Sequence, residues 1–212
     1  MTDDSPPRDG RPERRPSDAT PAADRWLPDG AVLETPLPDD VGAALGRLLG
    51  EGPIETLGEW IAAVRRLTGG GPIAVDDLCH AAEETAHWGE IDGERHYFRC
   101  FYDAVLLSAL VERPVAIRTE GPDETEIRAR ADGAADLTVV PETAVVSFGV
   151  DETVRRPPDD DPTHADVYAA VCPFVRAFPD REAYERWARS VPAATVATPL
   201  EGATETAAAL VA

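Results

Sequence analysis

The chain has no lysine. All 20 of its basic residues are arginine, set against 40 Asp plus Glu in 212 residues, so the formal net charge is −20. A surface of that sign repels polyphosphates and anionic lipid, which argues against nucleic acid and membrane as partners. An acidic, lysine-free surface holds water and hydrated cations and points to a halophilic, salt-rich cytoplasm. Long hydrophobic runs are missing too: none nears the roughly 18 to 20 residues of a spanning helix. Residues 1–30 carry no apolar segment between a basic start and a small-residue cleavage site, so the expected location is cytoplasmic. Cysteine is scarce. Three residues, an odd number, make no disulfide framework and in a reducing compartment should be free thiols or metal ligands. Hydrophobic residues, by contrast, make up 43% of the chain, enough for one ordinary domain or two small ones to bury a core.

Residues 1–36 are dense in Pro, Asp, Arg and Ser without apolar periodicity, and are expected to be a disordered acidic arm. Residues 40–49 are the first expected helix. In the second, Thr56 and Glu59 read as a capping box, and Leu57, Ile61, Val64 and Leu67 share a face until Gly69-Gly70-Gly71 stops it. A third helix is expected over 76–86, with Leu78 and Cys79 toward its buried side. Residues 37–87 therefore read as a small helical, winged-helix-like module.

A hairpin comes next, 88–91 and 95–98, around Asp92-Gly93, whose residues tolerate the positive backbone angles of a tight turn. Residues 100–111 are nearly all apolar and predict a buried helix with polar exceptions at Cys100, Asp103 and Ser108. Strands are expected over 115–119, 124–131 and 137–150, giving an antiparallel sheet. Residues 151–166 read as a polar loop, 167–178 as an apolar stretch, and Asp180 as the cap of a helix turning Tyr184 and Trp187 inward. A weak strand over 194–197 leads to a helix from Thr198, with Pro199 in its first turn and Glu201 completing a capping box.

Cys100 falls at the start of the buried helix, where unpaired backbone N–H groups favour a thiolate, a nucleophile or a soft-metal ligand. Asp103, three residues on, projects from the same face. Buried ionised, a carboxyl there costs several kcal/mol unless paired, so it would be protonated part of the time or tied to a partner. A small core cysteine and a backbone-bonded helix-start aspartate account for the same residues. Cys172, in Val171-Cys172-Pro173-Phe174, could supply a second thiolate to one soft metal, whereas a zinc site would need two further ligands at a recognisable spacing, and none is evident. Cys79 reads as core. Dinucleotide, P-loop, zinc-protease and serine-hydrolase motifs are absent. A DNA-reading role for the N-terminal module fails on charge, because its candidate recognition helix DDLCHAAEETAHW holds no arginine.

The run Thr85-Ala86-His87, then Asp92-Gly93 and Tyr97, then Cys100-Phe101-Tyr102-Asp103 resembles the organomercurial (alkylmercury) lyase family, in which a T-x-H…D-G-x-x-x-Y hairpin leads into C-x-x-D. The likeness continues through the strand Pro141-Glu142-Thr143-Ala144-Val145-Val146-Ser147. It resumes at Cys172, Phe178 and the run from Glu182 to Trp187. The resemblance implies an enzyme in which Cys100 and Cys172 capture an organomercury cation as thiolates and Asp103 carries the proton that releases the hydrocarbon. It implies no resident cofactor: mercury enters as substrate, and external low-molecular thiols or a mercuric reductase take the Hg(II) product. The chain departs from the family pattern at Arg99, where an aromatic is usual, at Arg176-Ala177, and in lacking a third family cysteine near 118–121.

The expected architecture is α+β: the arm 1–36, the module 37–87, and a mixed antiparallel-sheet core of alkylmercury lyase type over 88–212. The alternatives carried beside it are a non-catalytic thiolate protein for Hg(II) or Cu(I), and a thiol-based sensor of the same fold.

Overall fold

The computed structural model describes residues 25–67, 70, 73–134, 136–156 and 162–212. Most of the expected arm lies outside these. Its last third is a correction: Leu27 and Val32 are fully buried, and the Leu27 N–H donates to the Ala197 carbonyl at 2.8 Å. Two apolar side chains are too few to show a period, yet enough to anchor this segment along a sheet edge.

Pro38 and the acidic pair Asp39 and Asp40 open helix α1 (Asp39–Leu49), and Gly50 closes it at φ 71°. The loop after it crosses back so tightly that a Cβ on Gly42 would lie 2.4 Å from the Ile54 carbonyl oxygen. Gly42→Ala should therefore cost about 2 kcal/mol despite alanine's better helix propensity. Thermal melts of the two proteins check this; an unchanged or higher midpoint would show that the crossing loop yields freely.

Helix α2 (Leu57–Leu67) forms as expected, with one refinement to its cap. Thr56 Oγ1 accepts from Glu59 N at 3.2 Å, but the Glu59 carboxylate accepts from Glu55 N at 2.8 Å rather than from Thr56. The glycine-rich stop at 68–72 lies mostly outside the described residues. The third expected helix does not form. A single 3₁₀ turn, Val75–Asp77, gives way to extended chain in which Ala81 N donates to Tyr97 O at 2.8 Å and Arg99 N to Cys79 O at 3.0 Å. The apolar residues of 76–86 are too sparse to bury a helix face, and the neighbouring strand offers its free backbone groups instead. Without that helix the three-helix arrangement behind the winged-helix-like reading is not formed. Helices α1 and α2 also share one core with the second sheet and with residues Val167 and Ala170, so 37–87 has no separate core.

The hairpin forms, with its second strand one residue earlier than expected: β1 (Trp88–Ile91) and β2 (Glu94–Tyr97) join through Asp92 and Gly93 at φ 52° and 85°. With β3 (Pro114–Glu120), β4 (Glu126–Asp132) and β5 (Asp136–Val140) they make an antiparallel sheet of order β2-β1-β3-β4-β5. Along β4 the alternation is clean, with Ile127, Ala129 and Ala131 inward and Arg128, Arg130 and Asp132 outward. Helix α3 (Tyr102–Val111) is apolar all round because it is covered on both sides, by β1, β3 and β4 and by α6 (Ala203–Val211).

The strand expected over 137–150 is two strands. Pro141 has no N–H for a ladder, and beyond it β6 (Val145–Asp151) enters a different antiparallel sheet of order β7-β6-β8, with β7 Ala177–Phe178 and β8 Ala193–Pro199. The weak last strand is almost wholly buried despite its Ala-Thr composition. The capping box at Thr198 is absent. A 3₁₀ turn, Leu200–Gly202, comes first, and Thr198 Oγ1 is buried with no hydrogen-bond partner among the described residues. Helix α4 (His164–Val171) and helix α5 (Arg181–Ala188), the latter capped by Asp180 with Tyr184 buried, complete the α+β fold. No helix among the described residues is long and apolar enough to cross a membrane.

Candidate active site

The chain between β2 and α3 is held from three sides. Thr85 Oγ1 donates to the Phe98 carbonyl at 2.7 Å and accepts from His87 N at 3.2 Å, while Phe98 N donates to His87 O at 2.9 Å. Phe98 itself is fully buried. These bonds explain why Thr and His stand two residues apart here: they fasten the end of the hairpin, and the next residues can only run into α3. Cys100 therefore sits just before the helix, 3% exposed, and its Sγ donates to Asp103 Oδ2 at 3.1 Å.

Burial is the main reason the Asp103 carboxyl is held above the usual carboxylate range; bonds from Cys100 and from the Cys79 backbone N–H oppose it without overcoming it. The expected activation of Cys100 by the helix start is not what dominates. Contact with Cys172 favours its thiolate, yet burial and the Asp103 charge outweigh that and leave the thiol above its ordinary range. Cys100 and Asp103 are thus joined by a hydrogen bond, with both groups held above their ordinary ranges.

Cys172 arrives from the end of α4. It caps α4, where Pro173 turns the chain into a 3₁₀ turn, Cys172–Phe174. Strand β6 pins that turn and the residues after it: Ser147 Oγ donates to Phe174 O at 2.7 Å, and Arg176 N donates to Ser147 Oγ at 3.1 Å. The Cys172 thiol is raised by its contacts with Cys100 and Cys79 together with burial. All three cysteines are free. Cys79, expected as core in a helix, is half-buried and adjoins Cys172 because its segment is extended instead. That contact, more than any other, holds the Cys79 thiol below its ordinary range, with help from Arg99 and Tyr168. No spacing signal in the sequence ties Cys79 to the other two cysteines. Among the described residues no three such side chains form a ready cage for a metal ion.

Cys100, Asp103 and Cys172 face one cavity of about 140 Å³, walled by Trp60 and Ile61 of α2, Phe148 of β6, and Val167, Tyr168 and Val171 of α4. The walls suit an apolar group.

His87 braces the two sheets against each other. Its Nδ1 lies 2.6 Å from Thr119 Oγ1 and its Nε2 lies 3.3 Å from Arg176 Nη1. The guanidinium can only donate, so Nε2 accepts and the ring proton is on Nδ1, given to Thr119. Burial, and then Arg176, lower the imidazole from 6.5 to about 4. The unfolded chain takes up this proton first, so stability falls as pH drops through 6.5 toward 4. Between pH 7.5 and 5 the loss assignable to His87 is about 2 kcal/mol. Urea titrations at the two pH values should show the wild type losing that much more than His87→Gln; equal losses would sink the assignment.

Two thiols and a buried carboxyl on an apolar cavity are suited to a lyase that works on a soft metal centre. The chain belongs to the alkylmercury lyase family, whose sequence profile matches residues 81–212. A crystal structure of the mercury-bound form of MerB2 is similar at 16% identity and a TM-score of 0.47, covering 82% of this chain and 91% of that one. Among curated proteins, none matches the sequence significantly.

Proposed function

We propose that this chain cleaves the carbon–mercury bond of organomercurials by protonolysis, with Cys100 and Cys172 as thiolates and Asp103 as the proton carrier. The observation that carries the reading is the Cys100 Sγ to Asp103 Oδ2 bond of 3.1 Å, made on the cavity that Cys172 also lines. One thiol exchanges for the anion that accompanies R–Hg⁺, and its proton leaves with that anion. The second thiol gives its proton to Asp103 as its sulfur binds mercury. Two soft donors raise electron density on the metal and weaken its bond to carbon. Asp103 then protonates that carbon as it departs, which is general-acid work for a carboxyl kept inclined to hold a proton.

The products are R–H and Hg(II) bound by two thiolates, and Asp103 ends as it began. The chemistry balances without a resident cofactor. Low-molecular thiols or a mercuric reductase then take the metal. An apolar pocket of this size accommodates a small alkyl or aryl group.

The test is headspace detection of benzene from purified protein given phenylmercury and excess thiol. Benzene released catalytically supports the reading. Tight mercury binding with no benzene would replace it with a thiolate protein that holds the metal and does no chemistry.

A further inference from the structure

The protonolysis reading uses two of the three cysteines, and the third is not placed at random. Cys79 and Cys100 each contact Cys172, so Cys172 is shared by two thiol pairs. Cys100 and Cys172 line the apolar cavity, whereas Cys79 is not part of its walls. Cys100 is 3% exposed, while Cys79 is only half-buried. Cys172 is, like Cys79, only partly buried, so the three sulfurs run from a buried end at Cys100 to two partly exposed ones.

The Cys79 segment is built to hold this position. Arg99 N donates to the Cys79 carbonyl at 3.0 Å, the Cys79 backbone N–H bonds the Asp103 carboxyl, and Tyr168 OH donates to Asp77 O at 3.1 Å. His80 stacks against Phe98 with ring centroids 5.2 Å apart. Segment 77–80 is thus tied to both the Cys100 turn and the helix that delivers Cys172.

We infer that Cys79 is a transfer thiol: it displaces Cys100 from the Hg(II) left after protonolysis and draws the metal onto the Cys79–Cys172 pair, nearer solvent. The new bond is Cys79 Sγ to mercury and the broken one is mercury to Cys100 Sγ. The Cys79 proton ends on Cys100, whose Sγ then bonds Asp103 Oδ2 again as a thiol. Mercury remains Hg(II), and no electrons are exchanged. A two-coordinate metal moving between overlapping pairs needs no three-donor cage, and the described residues form none. An external thiolate then repeats the exchange at the accessible end, where attack on the metal is least hindered.

For turnover this step rests on the lyase reading, but the transfer can be measured without it. Full-length wild type, Cys79→Ala and Cys79→Ser are loaded with one equivalent of inorganic Hg(II), and loss of metal to excess glutathione is timed. Release from both variants should slow by about tenfold, because the metal then stays on a pair whose one member, Cys100, is buried. With phenylmercury at limiting thiol, steady-state benzene should fall more than the first-turnover burst, and added thiol should restore it. Release of Hg(II) at the wild-type rate from both variants overturns the inference. So does an equal loss of burst and steady state, which would make Cys79 a positioning residue for Asp103. If wild type yields no benzene yet the variants still release Hg(II) slowly, the lyase reading fails and the transfer thiol stands.

Discussion

Asp103→Asn should bind one equivalent of phenylmercury and release almost no benzene, with the rate down about 10²- to 10⁴-fold. Asparagine keeps the size of the side chain and can still accept a bond at the Cys100 position, so the mercury-binding geometry survives. What it cannot do is take a proton from a thiol and give it to carbon. The substitution also removes an acid that burial already opposes, so the variant should melt at or above the wild-type temperature. That combination separates loss of proton transfer from loss of fold. Benzene release within about tenfold of wild type would move the proton donor elsewhere.

On the proposed mechanism Cys100→Ser and Cys172→Ser should each lower benzene release by at least about 10³-fold, since both thiolates are needed on mercury. A serine hydroxyl is a hard, poorly acidic donor and does not replace thiolate on mercury. The two variants should differ in what they keep. Cys100→Ser retains the Cys172 and Cys79 thiols, which adjoin each other, and should still hold inorganic Hg(II) at one equivalent. Cys172→Ser removes the shared member of both pairs and should bind Hg(II) far more weakly. Mercury retained after gel filtration in competing thiol reads the difference. Cys100 is 3% exposed, so Cys100→Ala serves as a folding control without a buried hydroxyl. Equal retention by Cys100→Ser and Cys172→Ser would show that Cys172 is not common to two pairs.

The parts of the site legible in the sequence are those fixed by short-range rules. Asp92-Gly93 dictates a tight turn, the apolar run after it dictates a buried helix, and Cys100 and Asp103 stand at one helical turn's spacing whatever the rest of the chain does. The cap of α5 at Asp180 was legible for the same reason, its carboxylate accepting from Ala183 N at 2.8 Å. Features decided by distant partners were not. Whether 76–86 coils or extends depends on the backbone groups that Tyr97 and Arg99 offer. The burial of β8 depends on the 25–27 segment along its edge and on α1. The break at Pro141 was present in the sequence, but the β-propensity on both sides of it masked a change of sheet. Cys79 was misplaced because a helix would have turned it away from Cys172, whereas extended chain brings the two together.

Cys100 comes directly after the hairpin of the five-stranded sheet, and Cys172 is pinned to β6 of the three-stranded one. His87, bonded to Thr119 of β3 on one side and to Arg176 on the other, is one polar tie across this seam. Metal held by both sulfurs becomes a suture between the halves of the molecule. It should raise the melting temperature in proportion to its occupancy and make the product complex the most rigid state in the cycle. On the proposed mechanism an enzyme stitched shut by its own product would be inhibited by success, and its working rate would be set by how fast thiols from solvent cut the stitch.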